Sequence, residues 1–170
     1  MPMPAYMSIE GEVQGLITAG ATTHDSIGNE RQIGHEDQII VQAFDHLVTI
    51  PRDPQAGLTT GTRIHKPVTF TCTLNKAVPL MYNAMVTGEL LPKIELQWFR
   101  VEGAEQVNFF TTSWEDGTIV DIRTRMPHCQ DPAMNDFTQL IDVSFSYRKI
   151  MWEHVSAGTS ASDDWRAQQS

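Results

Sequence analysis

Cysteine is scarce in this chain. Cys72 and Cys129 are the only two in 170 residues. Two thiols are too few for the cross-linked framework of a small secreted domain, so both read as free thiols of a protein made in a reducing cytoplasm. Positive charge is short as well: 12 Lys and Arg face 21 Asp and Glu, a formal net charge of −9. Such a chain is repelled by nucleic acid and by anionic lipid, so neither is an expected partner. No apolar run reaches the ~20 residues that a bilayer requires, which argues against membrane insertion. The first residues, MPMPAYMSIEGE, carry no basic segment followed by an apolar core, so no cleaved signal peptide is expected. Internal repeats, low-complexity blocks and linkers are missing too. What remains is an ordinary globular composition, 41% hydrophobic and 19% charged, long enough for one domain over 1–170 with a sizeable core.

The hydrophobic pattern is mostly that of strands. Tyr6 to Glu10 is a short strand candidate, followed by pieces cut by Gly11, Gly15 and Gly20. Residues 21–36 are polar and read as loop, with a short strand at Ser26-Ile27. Gln38 to Ile50 suits one long strand with a bulge, or one buried on both faces. Val68 to Leu74 alternates clearly. Ile94, Leu96 and Trp98 alternate with Lys93, Glu95 and Gln97, as a half-buried strand does. Val107 to Trp114 and Thr118 to Met126 read as two strands separated by Glu115-Asp116-Gly117, a hairpin or bulge signal. Phe137 to His154 reads as one very long strand. Residues 155–170 are rich in Gly, Ser, Asp and Gln and are expected to be irregular. One helix is expected over 75–88, with Asn75 as its cap, Pro79 in its first turn and Gly88 at its end. Its stripe of Leu80, Met81, Ala84 and Met85 is core filling. The expected class is therefore mainly β: a compact antiparallel barrel, or two packed sheets, with one flanking α-helix and a long extended loop.

That loop is the unusual feature. Between the strands around Phe44 to Ile50 and Val68 to Cys72 lies an arm over 51–67, with three prolines and two glycines. Proline and glycine oppose helix and central strand, yet proline also narrows the unfolded ensemble. Asp53-Pro54 and Ala56-Gly57 are turn chemistry. Arg52, Arg63, His65 and Lys66 gather at the roots of the arm in an otherwise acidic chain. A connection of this length is either functional or a solvated tip. The charge pattern favours an arm that docks on a complementary surface of a neighbouring copy. The candidate contact residues are Pro51, Arg52, Asp53, Pro54, Gln55, Gly57, Arg63, His65 and Lys66, with carboxylates of a neighbour as the partners of Arg52, Arg63 and Lys66.

Chemistry is harder to find. The six histidines, His24, His35, His46, His65, His128 and His154, show no zinc-ligand spacing, so no metal or cofactor is expected. His128-Cys129 are neighbours whose side chains point apart on an extended chain. His35-Glu36-Asp37 reads as a solvated turn. Asp45-His46 resembles two thirds of a catalytic triad, but no serine stands in GxSxG and Cys72 lies mid-strand. Gly11, Gly15 and Gly20 are followed by no GK[ST], so they make no phosphate loop. No catalytic residue is assigned.

Long ordered strings then point to a family. FDHLVTIPRDPQAGLTTGTRIHKPVTFTCTLNKAVPLMYNAMVTGELLP, YMSIEGEVQGLITAG, MPHCQDPA, DFTQLIDVSFSYRKIMWEH and AGTSASDDWRA together span nearly the whole chain. They resemble the haemolysin-coregulated protein family, the tube subunits of type VI secretion systems. The resemblance implies a β-barrel flanked by one helix, homo-hexameric rings, and stacking of rings into an inner tube. It also implies partnership with a spike protein and a contractile sheath, and secretion through that machine after cytoplasmic assembly. Effector proteins held in the ring lumen are a second expected role, in which the ring is also a chaperone. A small β-barrel enzyme or ligand-binding protein is the alternative, and it requires a convergent polar pocket.

Overall fold

The computed structural model describes residues 3–165. In chain order these form β1 (Ala5–Gly11), β2 (Gly15–Leu16), the single-turn helix α1 (His24–Ile27), β3 (Ile39–Val41), β4 (Ala43–Asp45), β5 (Val48–Thr49), β6 (Ile64–His65) and β7 (Val68–Thr73). Then come helix α2 (Val78–Thr87), β8 (Leu91–Glu102), β9 (Glu105–Arg125), β10 (Leu140–Ser146), β11 (Lys149–His154) and β12 (Thr159–Asp164). Short 3-10 turns occupy Gly28–Glu30 and Pro132–Met134.

Strand β9 is the spine. Its 21 residues pair with β8 on one side from Glu105 to Gly117. On the other side, Phe110 to Glu115 pair with β11 and Thr118 to Arg125 with β10. All pairs are antiparallel, in the order β2-β1-β8-β9-β10-β7-β4, with β12 joined to β11 and β3 to β1. The core lies on the inner faces of these strands. Met7 and Ile9 of β1, Phe70 and Cys72 of β7, Ile94 and Leu96 of β8, Trp114 of β9, and Ile141, Val143 and Phe145 of β10 are all fully buried. Burial alternates residue by residue along β7 and, from Ile141 on, along β10, so an apolar-polar period of two is what drives them into sheet.

Helix α2 covers one flank. Proline stands in its first turn and Gly88, at φ 67°, ends it in the left-handed conformation that glycine adopts without strain. Its buried stripe is Val78, Met81 and Ala84, while Leu80 is exposed and Met85 half-buried. The helix starts at Val78 with Ala77, not Asn75, at the cap position; Asn75 lies two residues earlier, where its side-chain oxygen accepts from the Ala77 N–H at 2.9 Å.

Several expectations change. The fold is mainly β with antiparallel sheets, but the described residues hold two helices rather than one, since 24–27 forms a helical turn and not a strand. Among the described residues the ladder keeps free ends at β2 and β4 and does not close. Glu115-Asp116-Gly117 is no hairpin. Asp116 takes a φ of 53° and the strand runs on, because both halves find partners along one continuous line. Gly117 fits closely there: a Cβ would lie 2.8 Å from Ile94 Cδ1, so the end of that side chain would have to shift. The long strand over 137–154 begins at Leu140 and breaks at Tyr147-Arg148, opposite that irregularity. Gln38 to Ile50 divides into β3, β4 and β5, because each piece takes a different partner. The polar tail is not irregular throughout. Thr159–Asp164 pairs with β11 in full register, since backbone groups complete a ladder whatever the side chains are. Residues 166–170 of that tail lie outside the described residues.

Candidate functional site

The arm is a thin hairpin. Val48↔His65 and Thr49↔Ile64 form its two-pair root. Farther out, Arg52 and Thr59 make an isolated bridge, Thr60 N–H donates to Pro51 O at 2.8 Å, and Asp53 N–H donates to Leu58 O at 2.8 Å. Asp53 also closes the tip, with its side chain accepting from the Gln55 N–H at 2.9 Å and its carbonyl from the Gly57 N–H at 2.8 Å. The turn chemistry of Asp53-Pro54 and Ala56-Gly57 thus yields a folded tip, with Gly57 at φ 69°. Apolar side chains stand out from it: Leu58 is 69% exposed, Leu47 56% and Ile50 50%. A hollow of about 490 Å³ sits in its curl, lined by Thr49, Ile50, Pro51, Arg52, Asp53, Pro54 and Gly57.

The root is built differently. His65 is buried, and a chain of polar contacts runs through it. Arg63 donates to Asp163 of β12 through Nε at 2.5 Å and Nη2 at 2.8 Å. His65 Nε2 lies 2.7 Å from the same carboxylate, His65 Nδ1 lies 2.5 Å from the Tyr147 hydroxyl, and His46 Nε2 lies 2.7 Å from that hydroxyl. An ionised carboxylate only accepts, so His65 Nε2 carries a proton and donates to Asp163. In a neutral ring Nδ1 then accepts from the Tyr147 O–H. The tyrosine oxygen in turn accepts from His46 Nε2–H. Trp165 closes the stack: its ring lies 5.4 Å from that of His65 at 22°, and its Nε1–H donates to Tyr147 O at 2.6 Å.

The electrostatics agree with this order. Burial, with a smaller contribution from Asp163, pushes the Tyr147 hydroxyl far above its ordinary value, so it keeps its proton. The hydrogen bond from Arg63, aided by His65, holds the Asp163 carboxyl below its ordinary range against the effect of burial. The stability it contributes is present above the usual carboxylate pKa of ~3.9 and is lost as pH falls through its lower folded value. Burial and the facing His65 push the His46 imidazole below its ordinary value, opposed by Asp45. Its contribution is therefore present above ~6.5 and is lost as pH falls below that value.

Burial pushes the Cys72 thiol up to about 12, so it is no nucleophile at neutral pH. Among the described residues, no three His, Cys, Asp or Glu side chains gather as a metal site. No helix among them is long and apolar enough to cross a membrane.

Residues 6–154 match the family model described as type VI secretion system effector, Hcp. The chain belongs to the Hcp family. It is 56% identical over 168 residues to a major exported protein of Pseudomonas aeruginosa, covering 98% of each chain. A crystal structure of Hcp protein superposes with a TM-score of 0.91 at 52% identity, covering 96% of this chain and 99% of that one. Secreted protein Hcp3 from Pseudomonas aeruginosa gives a TM-score of 0.81 at 50% identity over the same shares.

Within this Hcp-family chain, the candidate residues fall into two groups. Pro51, Arg52, Asp53, Pro54, Gln55 and Gly57 lie together in the folded tip. Arg52 and Lys66 are exposed and make no ion pair with the described residues. Arg63 and His65 instead face inward, and their carboxylate partner is Asp163 of the same chain rather than a neighbour's. Tyr147, Asp163 and Trp165 escape a reading of sequence alone. One signal was present: Trp165 is the single aromatic residue between Val155 and the last described position, in an otherwise polar stretch.

Proposed function

We propose that this Hcp-family chain is a structural tube subunit that acts as one unit, with no catalytic role and no cofactor. Six copies close a ring, in which one patch of each subunit meets a different patch of the next. Rings stack into the inner tube of a type VI apparatus, capped by a spike protein and propelled by a contractile sheath, and the protein leaves the cell by that route. Effector proteins ride in the lumen. The sheet serves as a barrel wall, since residues 39–45 pair with β1 through β3 and with β7 through β4, bringing the two flanks side by side.

One observation carries the reading: the arm is folded by its own turns, yet it holds Leu47, Ile50 and Leu58 out in water beside Arg52 and Lys66. Ordered, exposed apolar surface next to unpaired charge suits a contact with another chain. Pro51, Arg52, Asp53, Pro54, Gln55, Gly57 and Lys66 form the contacting part, while Arg63 and His65 support it.

Deletion of Asp53 to Thr60 tests the reading. Circular dichroism is expected to stay β-rich while light scattering after size exclusion falls from the hexamer to the single subunit. A full hexamer from the shortened protein rules out the arm as the ring contact.

A further inference from the structure

The arm's own ladder is too short to fix its direction. Two pairs at the root and one bridge farther out make a hairpin that is marginal on its own. The remaining support comes from the far end of the chain. Strand β12, TSASDD, buries little, so it adds almost nothing to the core. What it delivers is Asp163, with Trp165 following it. Asp163 takes both Arg63 and His65, and Trp165 covers the outer face of His65 while its N–H donates to Arg148 O at 3.2 Å.

We propose that β12 is a clamp that sets the arm, with Asp163, Tyr147 and Trp165 as positioning residues, and that this clamp holds one added proton and opens on the second. The inference rests on the reading of the arm as the contact element. The proton arithmetic follows from the single hydroxyl between two imidazoles. With both rings neutral, His46 Nε2–H donates to the Tyr147 oxygen and the Tyr147 O–H donates to His65 Nδ1. A proton added at His65 Nδ1 reverses the chain. His65 Nδ1–H then donates to the tyrosine oxygen, and the O–H turns to His46 Nε2, which accepts once the His46 ring carries its hydrogen on Nδ1. A second proton, on His46 Nε2, aims two N–H donors at one hydroxyl and leaves the hydroxyl proton without an acceptor. It also sets two cations side by side, with ring centres 6.5 Å apart. Other charged groups among the described residues lie around the pair. Asp45 neighbours His46, Arg63 and Asp163 flank His65, and Arg148 lies 3.0 Å from Asp116 and 3.8 Å from Asp164.

The test is hydrogen exchange by mass spectrometry across residues 48–65, with β7 and β10 as internal references. Samples are diluted to equal assembled mass, checked by light scattering. In Asp163→Asn, protection over 48–65 is expected to fall about tenfold or more at neutral pH while β7 and β10 stay protected. Tyr147→Phe keeps the ring in the core and removes only the hydroxyl, and it is expected to release the arm in the same way. In the unaltered protein, arm protection corrected for intrinsic rates is expected to hold at neutral pH and to step down only as pH falls below about 6.5. His46→Gln is expected to abolish that step. Unchanged arm protection in both Asp163→Asn and Tyr147→Phe overturns the clamp, as does a pH step that survives His46→Gln. Assembly is read separately. A ring that persists with a released arm leaves the clamp standing and removes the arm from the ring contact. A ring lost while the arm stays protected overturns the clamp.

Discussion

Two excursions leave the body of this subunit, and they are held by different forces. The β8–β9 hairpin is paired from Leu91↔Gly117 out to Glu102↔Glu105, and Ile94, Leu96 and Trp114 anchor its base in the core. Its support is chiefly backbone ladder and apolar burial, and its Arg100–Glu102 ion pair is a solvent-exposed addition near the tip. The arm has two root pairs and then relies on Arg63, His65, Tyr147, His46 and Asp163. Support of this second kind is made of side chains that titrate. For the proposed tube subunit, stability throughout and adjustability at the arm would then rest on different forces. The ladder sets the shape, and the polar cluster sets the arm.

The contrast is broken most severely at the base of the β8–β9 hairpin. Trp114 is fully buried and packs edge-on against Phe145 at 5.2 Å. Trp114→Ala removes the largest side chain of the core, at an expected cost of about 3–5 kcal/mol. Thermal or denaturant unfolding checks it. A variant that melts within a degree or two of the parent shows that the hairpin base is not anchored as described. Deleting Asp53 to Thr60 in the arm is the counterpart. It removes exposed residues and a tip that closes on itself, so the hexamer is expected to be lost while the melting temperature stays close to that of the parent diluted to single subunits. A large fall in melting temperature shows that the arm tip bears on the fold.

What a reader of the bare sequence can see follows the same division. Alternation in Val68 to Leu74 and Ile94 to Trp98, and the proline and glycine that bracket α2, are local signals, and those elements stand where local signals place them. The turn chemistry of the arm tip is equally local. Glu115-Asp116-Gly117 misleads because its turn signal is overridden by partners on both sides of β9. Arg63 and His65 read as free cations because the carboxylate that takes them lies 100 and 98 positions away. His46 and Tyr147 are separated by 101 positions. No periodicity encodes such a meeting; it exists only once β10, β11 and β12 have been laid down beside the arm.

The finest comparison uses one glycine in each excursion. Gly57 at the arm tip has φ 69° and Gly103 in the β8–β9 turn has φ 65°. A Cβ at either position meets nothing within 4 Å, so alanine costs only backbone strain, about 1 kcal/mol. Asparagine tolerates that conformation better and serves as the relieved control. The local cost is the same, and each tip can fray to escape part of it, so both alanine variants are expected to melt slightly below the parent. Their assembly is expected to differ. Gly57→Ala reshapes the curl lined by Ile50, Pro51 and Pro54, and is expected to raise the concentration at which hexamers dissociate, with Gly57→Asn recovering most of the loss. Gly103→Ala is expected to leave that concentration unchanged. Dilution series followed by light scattering read both. Equal weakening by the two alanines places the ring contact on the β8–β9 hairpin as much as on the arm, and the division of labour between the two excursions then fails.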